Sequence, residues 1–191
     1  MRAAALVLVL AAVGVGVGVL LLEVVREPVR SPGPAPASTA AITGIAPRAP
    51  LTSCHDSITA AGPHDPIVAD DATDRVVGPV RFTGLRIYEG SWAGLVLADQ
   101  WLKTIALLDA GLEVTLEIPR GQRDWMRVDY GGHGGRAVTL RACRRQATAY
   151  AGGFTIDYAR APRQGRCAEV LVWTGHHRAH RTRLFPALCP A

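Results

Sequence analysis

Four cysteines, a histidine cluster and a late run of arginines are the residues of this chain with chemistry to offer. The cysteines are Cys54, Cys143, Cys167 and Cys189. None stands in a C-x-x-C, the spacing of zinc sites and thioredoxin-type redox sites, so they read as two disulfides. Four cysteines permit three pairings. The favoured one joins Cys143 to Cys167 around the Gly152-Gly153-Phe154 segment and leaves Cys54 and Cys189 to tie the domain's ends together. His176, His177 and His180 include an i, i+4 pair, a metal-binding spacing on a helix. Here the stretch lies between two strand-like runs, and Arg178, Arg181 and Arg183 would repel a cation. Asp65, Asp70, Asp71 and Asp74 are oxygen donors without the D-x-D-x-D-G spacing of a calcium loop. No metal and no cofactor are expected.

Catalytic motifs are absent. Glu89-Gly90-Ser91-Trp92-Ala93-Gly94 approaches a nucleophile elbow but lacks the glycines at 89 and 93. There is no Walker loop, dinucleotide fingerprint or H-E-x-x-H. The sequence points away from an enzyme.

Charge divides the chain. Residues 54–135 carry 7 basic and 12 acidic side chains, whereas residues 136–191 carry 10 arginines and 2 acids. Arg141, Arg144, Arg145, Arg178, Arg181 and Arg183 form a candidate anionic-ligand patch, suited to a phosphate-rich wall polymer or lipid headgroups. The bland alternative is that interleaved strands mix the two halves in space. Lys103 is the sole lysine, a usage that fits a high-G+C genome as well as it fits a ligand. Nucleic acid is not expected, because aromatics for base stacking are not interleaved with the arginines.

These residues need a scaffold and a compartment. Residues 3–22 are continuously apolar and are preceded by Arg2. Twenty residues span about 30 Å as a helix, the thickness of a bilayer's hydrocarbon core. The run is longer than a signal peptide's apolar stretch, and no A-x-A site follows it directly. A transmembrane anchor over 1–25 is expected, with a cleaved signal and secretion as the alternative. Gly14 and Gly18 form a G-x-x-x-G, a weak dimerisation signal in so small-residue-rich a run. Leu51-Thr52-Ser53-Cys54 is too far downstream to be a lipobox. Flanking charge leaves orientation open, and the cysteines place the carboxyl-terminal domain outside the cytosol.

Residues 26–53, with six prolines, read as a semi-rigid linker holding the domain off the membrane. Residues 54–191 read as one domain whose apolar residues alternate with period two. Val80 and Phe82 share a face, as do Val114, Leu116 and Ile118; Met126, Val128 and Tyr130; and Val138 and Leu140. Further runs lie at 154–158, 168–174 and 181–185. The expected fold is all-β, an antiparallel β-sandwich of immunoglobulin-like type behind the membrane helix and linker. Residues 103–108 and 112–118 are expected to pair as a hairpin around Asp109-Ala110-Gly111. Residues 91–102 fit a short helix as well as a strand. Glycine pairs at 131–132, 134–135 and 152–153 mark turns or bulges.

Several of these segments resemble exported or membrane-anchored proteins of actinobacteria that carry a disulfide-bonded β-sandwich. They are Val77-Gly78-Pro79-Val80-Arg81-Phe82-Thr83-Gly84-Leu85, Gly111 to Pro119, Val138 to Cys143, Gly152-Gly153-Phe154 and Cys167. The likeness spans most of 76–174. It implies the extracytoplasmic compartment, the sandwich and the Cys143–Cys167 pairing, and it implies no activity. The function expected is therefore a membrane-tethered binding or interaction module of the bacterial cell envelope. Its partner would be another envelope protein or an anionic wall polymer. A structural or accessory subunit of another membrane protein, and an unrecognised hydrolase, are the alternatives.

Overall fold

The computed structural model describes residues 40–58, 72–85, 100–157, 159–161, 167–184 and 189. The expected membrane segment, the first part of the linker and the Ser91 motif lie outside them. Among the described residues no helix is long and apolar enough to cross a membrane.

The described chain is all-β, in two six-stranded sheets. The strands are β1 (Ala40–Thr43), β2 (Leu51–Thr52), β3 (Arg75–Val77), β4 (Val80–Thr83), β5 (Gln100–Leu108) and β6 (Glu113–Glu117), then β7 (Met126–Tyr130), β8 (His133–Gly135), β9 (Ala137–Arg141), β10 (Thr148–Ile156), β11 (Glu169–Thr174) and β12 (Arg178–Arg183). One sheet has the order β1-β12-β11-β6-β9-β2 and the other β3-β4-β5-β10-β7-β8. Every pairing is antiparallel except that of β2 with β9. The alternating apolar residues meet in one core. Val114, Leu116, Val138, Leu140, Val170 and Val172 of the first sheet cluster with Phe82, Leu102, Leu108, Val128, Tyr150 and Phe154 of the second. The result is sandwich-like, with Phe82 and Tyr130 both ringed against Phe154. Arg75 Nη1 on β3 donates to the Arg183 carbonyl on β12, joining the sheets at one margin.

Period two holds wherever one face is buried, and three expectations at the boundaries do not hold. The expected hairpin at Asp109-Ala110-Gly111 is instead a corner between sheets. β5 pairs with β4 and β10, whereas β6 pairs with β11 and β9. The turn's Gly111 amide donates to the Cys143 carbonyl rather than closing a two-stranded ladder. Of residues 91–102, which fit a helix as well as a strand, Gln100, Trp101 and Leu102 begin β5; the remainder lies outside the described residues. Gly152 and Gly153 mark no turn. They sit inside β10, a nine-residue strand bonded on both sides. A Cβ on Gly152 would strike the Asp129 carbonyl, and one on Gly153 the Leu102 carbonyl, so the neighbouring strands close on bare backbone.

The third concerns the linker. Residues 40–53 are no spacer, because β1 pairs with β12 at one edge of a sheet and β2 with β9 at the other. Prolines at 47 and 50 suit extended chain between two short edge strands, where no ladder donor is needed.

The disulfides are Cys54–Cys143 and Cys167–Cys189, with Cα separations of 4.9 and 4.4 Å. All four cysteines are bonded, but not in the expected pairing. β9 and β11 both run antiparallel to β6, so they run the same way as each other. Cys143 follows the end of β9 and Cys167 precedes the start of β11. The register Leu171–Glu117–Ala137 separates them by ten strand positions, roughly 30 Å, far beyond disulfide reach. β2, parallel to β9 with Thr52 opposite Leu140, delivers Cys54 to Cys143 instead. A short 3-10 turn at Cys54–Asp56 presents the cysteine. Ser53 amide and hydroxyl both donate to Asp56 Oδ2 at 2.8 Å, and these bonds hold that carboxyl below its ordinary pKa.

Two measurements follow. Non-reducing peptide mapping is expected to recover Cys54 linked to Cys143 and Cys167 to Cys189; a Cys143–Cys167 peptide would refute the register. Burial pushes the Tyr150 phenol up to about 12 and Tyr130 well above its usual value. Both ionise more easily unfolded, so the fold favours their protonated forms. The stability they contribute is complete below about pH 10 and drains as pH rises from there toward 12. Tyrosinate absorbance at pH 11 is expected to leave at least two of the chain's four tyrosines neutral until denaturant is added.

Candidate functional site

The outward face of the β1-to-β2 sheet carries the site. Successive pairings align Ile42, Ala179, Trp173, Thr115, Thr139 and Leu51 in one row across all six strands. All belong to the outward-pointing set, since their strand neighbours Val114, Leu140 and Val172 lie in the core. Residues 44–50 join the two ends of that row. The Gly44 and Ala46 amides donate to the His177 and His176 carbonyls of the β11–β12 turn, and the Pro50 carbonyl accepts from the Thr139 amide. The segment is thus a strap from one edge of the sheet to the other.

A groove of about 620 Å³ lies between strap and sheet. Its walls include Ile45, Arg48 and Leu51, and its floor Val114, Thr115, Thr139 and Trp173, with Glu113, Arg141 and His176 alongside. The size falls within the roughly 300–1,000 Å³ of small-ligand sites. Polar groups on the floor and rim are paired in ways that leave capacity over. Thr115 Oγ1 and Thr139 Oγ1 lie 2.8 Å apart, so one hydroxyl donates to the other and the second proton stays available. Arg141 Nε donates to Glu113 Oε2 at 2.6 Å, leaving the terminal guanidinium nitrogens and Glu113 Oε1 facing solvent.

Beneath the apolar end of this face is an ion pair whose carboxylate is buried and whose guanidinium is partly exposed. Glu117 is 8% exposed. It accepts from Trp173 Nε1 at 2.8 Å and from Arg123 Nη2 at 2.6 Å. Arg123 Nε also donates to the Ile118 carbonyl. These bonds fix the Trp173 ring, which packs with Leu171, Ala179, Ile42 and Ala46 in a small second cluster. Glu117 therefore orients an apolar wall of the groove rather than facing it.

The sequence-derived candidates are dispersed by the register. Arg141 and Arg181 share the outward face but stand three strands and four positions apart, about 20 Å. Arg144 and Arg145 are exposed in the β9–β10 connection near Arg141. Arg181 lies 3.9 Å from Glu169, with Arg183 beside it on β12. Arg178 alternates onto the opposite face from Arg181. The histidines also separate. His176 lines the groove, His177 Nδ1 lies 3.3 Å from the Gly44 carbonyl, and His180 packs where a Cβ on Gly78 would be. No cluster of metal-ligating side chains occurs among the described residues. Of the aspartates weighed for calcium only Asp74 is described, buried and accepting from the Gly84 amide.

Thr115, Thr139, Glu113 and Trp173 were not singled out by sequence reasoning. The faultless alternation Glu113-Val114-Thr115-Leu116-Glu117 marks a polar outward face, but cross-strand register brings Thr139 and Trp173 beside it. The chain matches no protein-family model, no curated protein and no solved structure.

Arg123→Ala would leave the Glu117 carboxylate buried without its cation. A loss of about 2–3 kcal/mol in urea unfolding is expected, against less than about 0.5 kcal/mol for the exposed Arg144→Ala.

Proposed function

We propose that this protein is a membrane-tethered, extracytoplasmic binding module of the bacterial cell envelope, and that it binds through the strapped groove. The observation that carries this reading is the groove itself. It has a small-ligand volume and residual donors and acceptors at Thr115 or Thr139, Arg141 and Glu113. Its hydroxyls bond to each other rather than to a base, an arrangement suited to binding more than to nucleophilic attack. Two disulfides fit an oxidising compartment, and the apolar run at 3–22 supplies the tether.

The immunoglobulin-like frame belongs to the same proposal. Tyr150, near the start of β10, donates its hydroxyl to the Arg141 carbonyl nine residues upstream, across a corner between sheets. That resembles the tyrosine corner of such sandwiches, although the Cys54–Cys143 bridge joins two strands' ends within one sheet.

Lys103 is exposed and is the only lysine, so it reports sidedness. A membrane-impermeant amine reagent applied to intact cells is expected to label it; labelling only after lysis would overturn the compartment. A photocrosslinking residue at Arg48 is expected to capture an envelope component, whereas one at Val76, on the far sheet, is not. Equal capture at both positions would contradict a groove-centred site.

A further inference from the structure

The groove's chemistry narrows what it can hold. Its floor strands offer little backbone. β6 lies between β11 and β9, and β2 covers β9 at Thr139 and Leu140, so the ladder groups at the floor threonines are already paired. A peptide laid there could not gain the main-chain hydrogen bonds that drive strand addition. The floor therefore recognises a ligand through its side chains, which differ in kind. A hydroxyl proton from the Thr115–Thr139 pair, the terminal nitrogens of Arg141 and the free oxygen of Glu113 present donor, donor and acceptor along one side.

Charge argues in the same direction. Arg141 is already matched by Glu113 at 2.6 Å, so a phosphate placed there would meet a carboxylate as well as a guanidinium. The paired ion couple instead suits a neutral group that both donates and accepts, as adjacent hydroxyls do. Apolar surface faces these groups from Ile45 and Leu51, which are 81% and 41% exposed. A ligand with hydroxyls on its edge and C–H groups on its face satisfies both walls.

Resting on the binding-module reading, we infer that the strapped groove is a saccharide site. Thr115, Thr139, Arg141 and Glu113 take the hydroxyls, and Ile45 and Leu51 take the ring face.

The test uses the full-length, disulfide-bonded chain in detergent. The probes are an array of neutral oligosaccharides of glucose, mannose, galactose and N-acetylglucosamine, with an array of random decapeptides and poly(glycerol phosphate) beside it. Binding to at least one oligosaccharide class is expected. Thr139→Val, which keeps shape and removes the hydroxyl, is expected to weaken it tenfold or more, and Arg141→Met likewise. Trp101→Ala, on the other sheet, is expected to leave it unchanged. Saccharide binding indifferent to Thr139→Val and Arg141→Met would overturn the site. Groove-dependent binding of peptides or poly(glycerol phosphate) instead of sugars would overturn the saccharide and keep the binding module. No binding to any probe would overturn the saccharide, and with no capture at Arg48 in cells it would overturn both readings.

Discussion

One span of chain constrains the whole first sheet. β1 and β2 are consecutive in sequence and sit at its opposite edges. Thr43 and Thr52 occupy the same register row, through Arg178, Thr174, Val114 and Leu140. Five interstrand steps separate them by roughly 24 Å, and nine peptide units reach at most about 32 Å. The span takes about three-quarters of that reach, and nine residues of helix would cover only about 14 Å, so the strap stays largely extended. Pro47 and Pro50 belong in such a segment because their fixed φ keeps it extended. The groove lies beneath this extended span.

Both ends of the strap are fastened. At one end β1 is zipped to β12, and Ile42 and Ala46 pack on Trp173. The other end is held by the β2–β9 pairing, by Thr52 Oγ1 donating to the Tyr130 carbonyl of the second sheet, and by Cys54–Cys143. The disulfide spans 89 positions and so removes substantial entropy from the unfolded chain, about 4–5 kcal/mol on the chain-entropy account. Its location matters more for function. A two-residue parallel strand is a weak anchor, and the covalent bond beside it is what keeps the strap's far end from fraying. Trp173, the residue the near end packs on, is in turn held by Glu117 and Arg123.

Much of the sandwich was legible because burial of one face imposes period two. Val114-Thr115-Leu116, Met126-Arg127-Val128 and Val138-Thr139-Leu140 each announce a strand and its inward side. What alternation cannot encode is which strand lies beside which. Asp109-Ala110-Gly111 reads as a hairpin turn, but the same turn chemistry serves a corner when each flanking strand finds partners elsewhere. Gly152-Gly153 reads as a break, since close approach of neighbouring backbones leaves no mark in local sequence. The cysteine pairing was misread because it depends on strand direction across the sheet. The proline-rich stretch hid β1 and β2 because edge strands need few donors. The groove was illegible for the same reason as the pairing. Thr115, Thr139 and Trp173 lie 24 to 58 positions apart in sequence and meet only through register.

Residues 44–50 are bound across the sheet rather than serving as a free spacer. Native-state hydrogen exchange tests it at three amides. Gly44 and Ala46 donate into the β11–β12 turn, and Thr139 donates to Pro50. All three are expected to exchange at least about a thousandfold more slowly than in the unfolded chain, with Thr139 losing its protection in Cys54→Ser. Gly44 and Ala46 exchanging at unfolded-chain rates, while Leu116 in the central ladder stays protected, would contradict it.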